Sequence, residues 1–363
     1  MVRAVRTCAL ALALLMAVGC ASTPRRDFSF GFEEWREGIA ARQVDPADVI
    51  YPFAATPEMQ AWAEAFQARY ATLAPALRLE KLQRHLFDTR EFPFSYDEKL
   101  TLTGAQTFAT RRGNCMAFTA MFVALSRAMG MRTFLVAVRR APEVEREETL
   151  VVVNRHVVAG YVDSGQMKLF DFYITSDLPY MIQLVIDDVR ASAMFHTNLG
   201  GAAIRDGDLE QALHHLELAV TIDPLLSAAW VNLGVARSRT GDTQGAIEAY
   251  ERSIATDPGN SSALTNLAYV YRELGQEEQA RNALLAAVRL GSTAYTLVAL
   301  ADAEMARGRL DKARGYLYQA RRMDRRAPEV YDALARLSRL ADDHSNAERY
   351  RRRADKLRSH QLP

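Results

Sequence analysis

The sequence predicts an α+β domain followed by an all-α solenoid of paired helices. Two observations carry this. In the second half, small and apolar residues recur at a fixed step of 34 residues. In the middle third, helical runs give way to β-branched segments around a solitary cysteine, Cys115. The chain has 363 residues, 49% of them hydrophobic and 25% charged, which suffices for a sizeable core and argues against general disorder. Its 45 basic and 44 acidic side chains leave a formal charge of +1, without the basic excess of a nucleic-acid binder. Three cysteines are too few for a disulfide framework or a four-thiolate zinc site.

The chain starts with Arg3 and Arg6 and a twelve-residue apolar run from Cys8 to Gly19. That run is short of the roughly 20 apolar residues a bilayer span requires, and it suits the apolar region of a secretory signal peptide. It closes on Ala17-Val18-Gly19-Cys20, which resembles the bacterial lipobox. The resemblance implies a signal peptide over residues 1–19, lipidation at Cys20 and a tether over 20–55. Ala21, rather than Asp, implies sorting to the outer membrane, facing the periplasm. After processing, Cys115 is the only free thiol, so it is either an inert core residue or a reactive one.

In the second half Gly207, Gly241 and Gly275 keep the 34-residue step, as do Ala212, Ala246 and Ala280, and Leu199, Leu233 and Leu267. Leu216, Tyr250 and Leu284 follow suit, and Trp230, Gly234 and Pro258 complete the clearest unit. Small residues at the Ala246 position let two helices approach closely, large ones at Tyr250 fill the space between hairpins, and Gly241 supplies the turn. The period and residue types match the tetratricopeptide repeat (TPR), a helix–turn–helix unit. About five units are expected within residues 193–360, the last with an arginine-rich, solvated capping face.

Residues 56–190 form the α+β domain. Helices are predicted at 57–71 and 77–88, then a short helix containing Phe108. Arg112-Gly113-Asn114-Cys115 follows, with Asn114 as N-cap, Cys115 in the first turn and Gly130 ending the helix. The start of a helix favours an anion, hence a thiolate, and Arg111 and Arg112 could add to that. Strands are predicted at 132–139, 150–162 and 168–174, with an acidic loop over 143–148. If Ser164 and Gly165 are the two residues of a tight turn, 162 pairs with 167 and 160 with 169, which places His156 and Asp171 on one face as diagonal neighbours. A carboxylate there can hold an imidazole by one nitrogen and leave the other for a thiol. His85, the other histidine of this half, has no obvious partner.

Gly113-Asn114-Cys115 opening a long helix, His156 and Asp171 on successive strands resemble the bacterial transglutaminase-like superfamily, with its papain-like core. The resemblance covers roughly residues 60–180. It implies Cys115 as nucleophile, His156 as general base and then acid, and Asp171 as orienting carboxylate. Gln106 is the candidate oxyanion donor, beside the Cys115 backbone N–H. Many active relatives carry an aromatic residue after the cysteine, where this chain has Met116.

The expected function is that of a lipid-anchored cysteine peptidase or amidase cleaving an amide bond in a protein or peptide, with the TPR array holding substrate or partner. The alternatives are a catalytically silent scaffold for an envelope complex and a transamidating cross-linker. Without a phosphate-cradling glycine loop or clustered ligands in the sequence, no cofactor, metal or nucleic acid is expected.

Overall fold

A computed structural model describes residues 31–359, apart from 89, 139–143, 148–149, 154–155, 172–182 and 292. The expected signal peptide and Cys20 lie outside these residues. The first helix, α1 (Phe32–Ala40), falls inside the segment expected to be tether. Trp35 and Ile39, four apart, put one apolar face against the core, and the Trp35 indole N–H donates to Ser192 Oγ at 2.9 Å. Two buried residues at helical spacing are enough to fold a short segment when a neighbouring helix receives them.

Helices α2 (Pro57–Arg69) and α3 (Pro75–Phe87) each start on a proline, whose missing N–H costs nothing in a first turn. Leu79, Leu82 and Leu86 line the buried face of α3. After the short strand β1 (Ser95–Tyr96) come α4 (Gly104–Thr110), strand β2 (Arg112–Gly113), which runs parallel to β1, and α5 (Cys115–Ala128). The end of α5 is as expected, since Gly130 takes the left-handed conformation with φ 73°.

The main sheet comprises β3 (Phe134–Val138), β6 (Val157–Asp163), β7 (Gln166–Phe170) and β8 (Gln183–Ile186), in the antiparallel order β7-β6-β3-β8. Val162 opposes Met167 and Gly160 opposes Leu169, as the turn chemistry predicts. Ser164 and Gly165 both have positive φ, the primed turn that matches strand twist. The segment expected as an acidic loop contains a strand, β4 (Val144–Glu147), paired with β5 (Leu150–Val153). The single strand expected over 150–162 is therefore two, and His156 precedes β6.

Five helix pairs follow: α6 (Asp188–Asp206) with α7 (Leu209–Ile222), α8 (Ser227–Arg239) with α9 (Thr243–Thr256), α10 (Ser261–Glu273) with α11 (Glu277–Leu290), α12 (Ala294–Ala306) with α13 (Leu310–Met323), and α14 (Pro328–Leu340) with α15 (His344–Ser359). The first four pairs each carry a small residue with a large one sixteen positions on. A Cβ on Gly200 would lie 2.5 Å from Leu216 Cγ, and one on Gly234 2.5 Å from Tyr250 Cε1. Ala268 with Leu284 and Ala301 with Leu317 repeat the arrangement, all four buried. In α15 Ala347 and Ala354 are buried while Arg351, Arg352 and Arg353 are exposed, as a terminal unit requires. The border expected near residues 190–193 falls inside α6, a single 19-residue helix, and one apolar core runs from Trp35 to Ala303.

Candidate functional site

Cys115 is the first residue of α5, half-buried and unpaired with any other cysteine. The turn before it is tightly specified. Asn114 accepts from the Ala117 N–H at 3.1 Å through Oδ1 and donates to Thr101 Oγ1 at 2.7 Å through Nδ2. A Cβ on Gly113 would sit 2.4 Å from the Ala117 methyl, so only glycine fits beneath the first turn. The sulfur is thus set at the positive end of a 14-residue helix, beside its first-turn backbone N–H groups. Met116, next to it, is fully buried.

Thr119 Oγ1, one turn along α5, donates to the Val157 carbonyl at 3.3 Å and ties the helix to the start of β6. That contact brings His156 to the sulfur. The His156 Nε2 lies 3.2 and 3.1 Å from the two oxygens of Asp171, which itself is 4% exposed. With Nε2 on the carboxylate, Nδ1 is the ring nitrogen left for Cys115. Burial pushes the imidazole pKa down, but hydrogen bonds to Asp171 and Cys115, together with their charges, outweigh it and raise it to about 9. The three side chains arrive from a helix start, the lead-in to β6 and the end of β7.

Two further contacts hold the backbone that carries Asp171. Gln83 Nε2 on α3 donates to the Asp171 carbonyl at 2.6 Å, and the Phe170 ring stacks on Phe122 of α5 at 5.2 Å. Sequence reasoning missed Gln83, because a lone glutamine on an amphipathic helix carries no signal of its target. Two expectations are corrected, for the arginines and for His85, and Gln106 has a local role. Gln106 closes a capping box with Thr103, its Oε1 accepting from the Thr103 N–H at 3.0 Å. Arg111 lies over the Phe92 ring at 3.6 Å, and Arg112 pairs with Asp97 at 2.9 Å; both cations are spent on packing. His85 is paired with Glu91 beside the Trp62 and Phe66 rings.

The repeats hold a second histidine cluster. His196, buried in α6, has Nδ1 3.1 Å from His215 Nδ1, and its Nε2 accepts from the Ile50 N–H at 3.2 Å. Burial, with the neighbouring His215 and His214, lowers its pKa to about 3. His215 is half-buried. Among the described residues no group of three or more His, Cys, Asp or Glu is arranged to hold a metal, and no helix is long and apolar enough to cross a membrane.

Comparison with known proteins identifies part of the helical array. Models described as tetratricopeptide repeat match residues 229–262 and 249–282. Residues 229–282 are tetratricopeptide repeats. Such repeats stack into extended surfaces that bind protein partners. The helical array is similar to several solved structures. MamA (41-end) from Desulfovibrio magneticus RS-1 is 21% identical, with 47% of this chain and 97% of that one covered at a TM-score of 0.39. PilF of Pseudomonas aeruginosa is 23% identical, with 47% and 76% covered and a TM-score of 0.41. PilW, described as a widely conserved type IV pilus biogenesis factor, is 18% identical, with 47% and 79% covered and a TM-score of 0.43. No curated protein sequence matches the chain.

Proposed function

We propose that this chain is a transglutaminase-like thiol enzyme that cleaves an amide bond in a protein or peptide, with the TPR array gripping the substrate or its partner. One observation carries the reading: His156 is shared between the Asp171 carboxylate, 3.1 Å away, and the Cys115 thiol. In the proposed reaction Cys115 passes its proton to His156 and attacks the amide carbonyl. The negative charge of the tetrahedral adduct falls on oxygen, where the Cys115 backbone N–H, in the first turn of α5, can donate to it. His156 then protonates the departing amine, leaving a thioester on Cys115. Water attacks the thioester while His156 takes its proton, releasing the acid and restoring the thiol. An amine in place of water gives transamidation. Asp171 keeps the ring oriented throughout and stabilises its cationic form. The Ala17–Cys20 lipobox supports an outer-membrane anchor facing the periplasm.

The second reading is a catalytically silent scaffold. The tetratricopeptide match favours it, since such repeats bind proteins. Labelling the chain from Ala21 onward with a thiol-directed acylating probe at neutral pH separates the two. The enzyme reading expects rapid acylation of Cys115 that falls about 100-fold or more in His156→Ala, with a clear loss in Asp171→Asn. Slow labelling, indifferent to both changes, leaves the scaffold.

A further inference from the structure

The last two helix pairs carry a charge that the rest of the chain does not. Residues 301–363 hold 16 Lys and Arg against 10 Asp and Glu, a formal +6, while residues 1–300 sum to −5. A terminal repeat needs a polar outer face, but a mixture of both signs meets that need equally well. Capping therefore accounts for the polarity and leaves the excess of one sign unexplained.

Packing gathers part of this charge along one edge. The loop after α13 and one face of α15 meet at Tyr331, in the first turn of α14. The Tyr331 hydroxyl donates to the Arg325 carbonyl at 3.0 Å, and the Arg353 guanidinium lies over its ring at 5.8 Å. The Tyr350 ring is 6.4 Å from the Tyr331 ring and carries Arg349, one turn before Arg353, at 5.2 Å. Upstream of the loop, Arg321 lies over the Tyr318 ring at 5.0 Å. Arg322, Arg325 and Arg326 complete the edge, all three exposed.

The nearby acids are engaged with other groups. Asp332 and Asp355 pair with Arg358, and Glu348 with Arg352. Asp324 lies in the loop itself, where its Oδ1 accepts from the Arg326 and Ala327 N–H groups at 2.7 and 3.1 Å. Among the described residues no carboxylate forms an ion pair with Arg321, Arg322, Arg325, Arg326, Arg349 or Arg353. Two exposed apolar side chains stand among these cations. Tyr318 is 42% exposed under Arg321, and Met323, 54% exposed, separates Arg322 from the loop arginines. A soluble polyanion would satisfy the guanidinium groups and leave both side chains wet. A bilayer surface accommodates both kinds of group, because phosphates take the arginines while tyrosine and methionine enter the boundary between headgroups and acyl chains.

We propose that this edge, running from Tyr318 through Arg326 and across Tyr331 to Arg349 and Arg353, docks on an anionic phospholipid bilayer. Binding is peripheral, through headgroup phosphates. Stacking on tyrosine rings already restrains Arg321, Arg349 and Arg353, so they lose less freedom when they meet a phosphate. The surface depends on neither the thiol chemistry nor a lipid on Cys20.

Vesicle co-sedimentation tests the surface, using the chain from Ala21 onward, which keeps every described residue and carries no lipid. It should bind phosphatidylcholine vesicles containing about 30 mol% phosphatidylglycerol at least about tenfold more tightly than phosphatidylcholine alone. That preference should shrink as salt rises from about 0.1 to 0.5 M. Equal binding to the two vesicles overturns the proposal. Arg325→Gln with Arg326→Gln, and separately Arg349→Gln with Arg353→Gln, should each weaken binding about tenfold or more, with the thermal midpoint of the wild type. Arg84→Gln with Arg252→Gln removes the same charge from exposed sites elsewhere and should leave binding unchanged. An equal loss in all three double variants would make net charge the cause and overturn the edge. Tyr318→Ser with Met323→Ser separates a bilayer from a soluble polyanion. It should weaken vesicle binding at least about fivefold while dextran sulfate binds as before. Vesicle binding indifferent to this change overturns the bilayer and leaves a soluble polyanion as the ligand.

Discussion

Arg127 and Asp188 form a two-pronged ion pair, Nη1 to Oδ2 at 2.6 Å and Nη2 to Oδ1 at 2.9 Å, that joins the helix bearing Cys115 to the first helix of the repeat array. The Tyr51 hydroxyl donates to the same Asp188 oxygen at 3.0 Å. The carboxylate is 1% exposed, so its charge is tolerated only because these donors surround it. Arg127→Ala should cost about 3–5 kcal/mol in urea unfolding by stranding that charge, and an Arg127→Met, Asp188→Leu pair should recover most of it. A loss under about 1 kcal/mol would place the pair among exposed bridges, which contribute little.

The raised pKa of His156 makes stability depend on pH. Its folded value of about 9 lies above the unfolded 6.5, so its contribution is complete below pH 6.5 and fades as pH rises through about 9. Chemical denaturation between pH 6 and 10 should show the wild type losing up to about 3 kcal/mol relative to His156→Ala across that window. A constant difference would mean that the imidazole is neutral throughout.

His196 works in the opposite direction. Its folded pKa of about 3 lies below the unfolded 6.5, so between these values the unfolded chain holds a proton that the folded chain lacks. Stability should fall by up to about 1.4 kcal/mol per pH unit as the solution is acidified below 6.5. His196→Gln, measured by the thermal midpoint at pH 4.5 and 7, should narrow the gap between the two values.

Glycines of the array serve different ends and should respond differently. Gly234→Ala drives a methyl into the Tyr250 ring and should cost about 1–3 kcal/mol, with part regained by Tyr250→Leu. Gly241, at φ 84°, has nothing within 4 Å of an added Cβ. Its change to Ala should cost only about 1 kcal/mol, from backbone strain alone, and be indifferent to residue 250.

Gln83 positions the carboxylate through its backbone. Gln83→Leu should slow Cys115 labelling by about tenfold while shifting the thermal midpoint little, since a small displacement of an orienting group is costly to rate. An unchanged labelling rate, with the pH profile of the wild type, would reduce the 2.6 Å contact to packing.

What the sequence made legible is local. The Ser164-Gly165 turn sets the pairing of Val162 with Met167, Asn114 announces the start of the Cys115 helix, and the 34-residue step defines the helix pairs. The features it concealed are decided at a distance. Gln83 meets Asp171 across 88 residues, and Trp35 finds Ser192 across 157, which turns an expected tether into a packed helix. Arg111 and Arg112 look like support for a thiolate until Phe92 and Asp97 claim them. The hairpin was obscured for a related reason: Glu145, Arg146 and Glu147 read as loop because their partner strand, β5, packs on helices about 80 to 130 residues downstream.

The uninterrupted α6 has a mechanical consequence. Its 19 residues make a rod of about 28 Å, clamped at Asp188 to the helix that bears the sulfur and packed through Gly200 into the opening helix pair. A flexible linker would let the array swing and search. A rod instead acts as a jig, and holds the first helix pair at one bearing and one offset from the Cys115 helix.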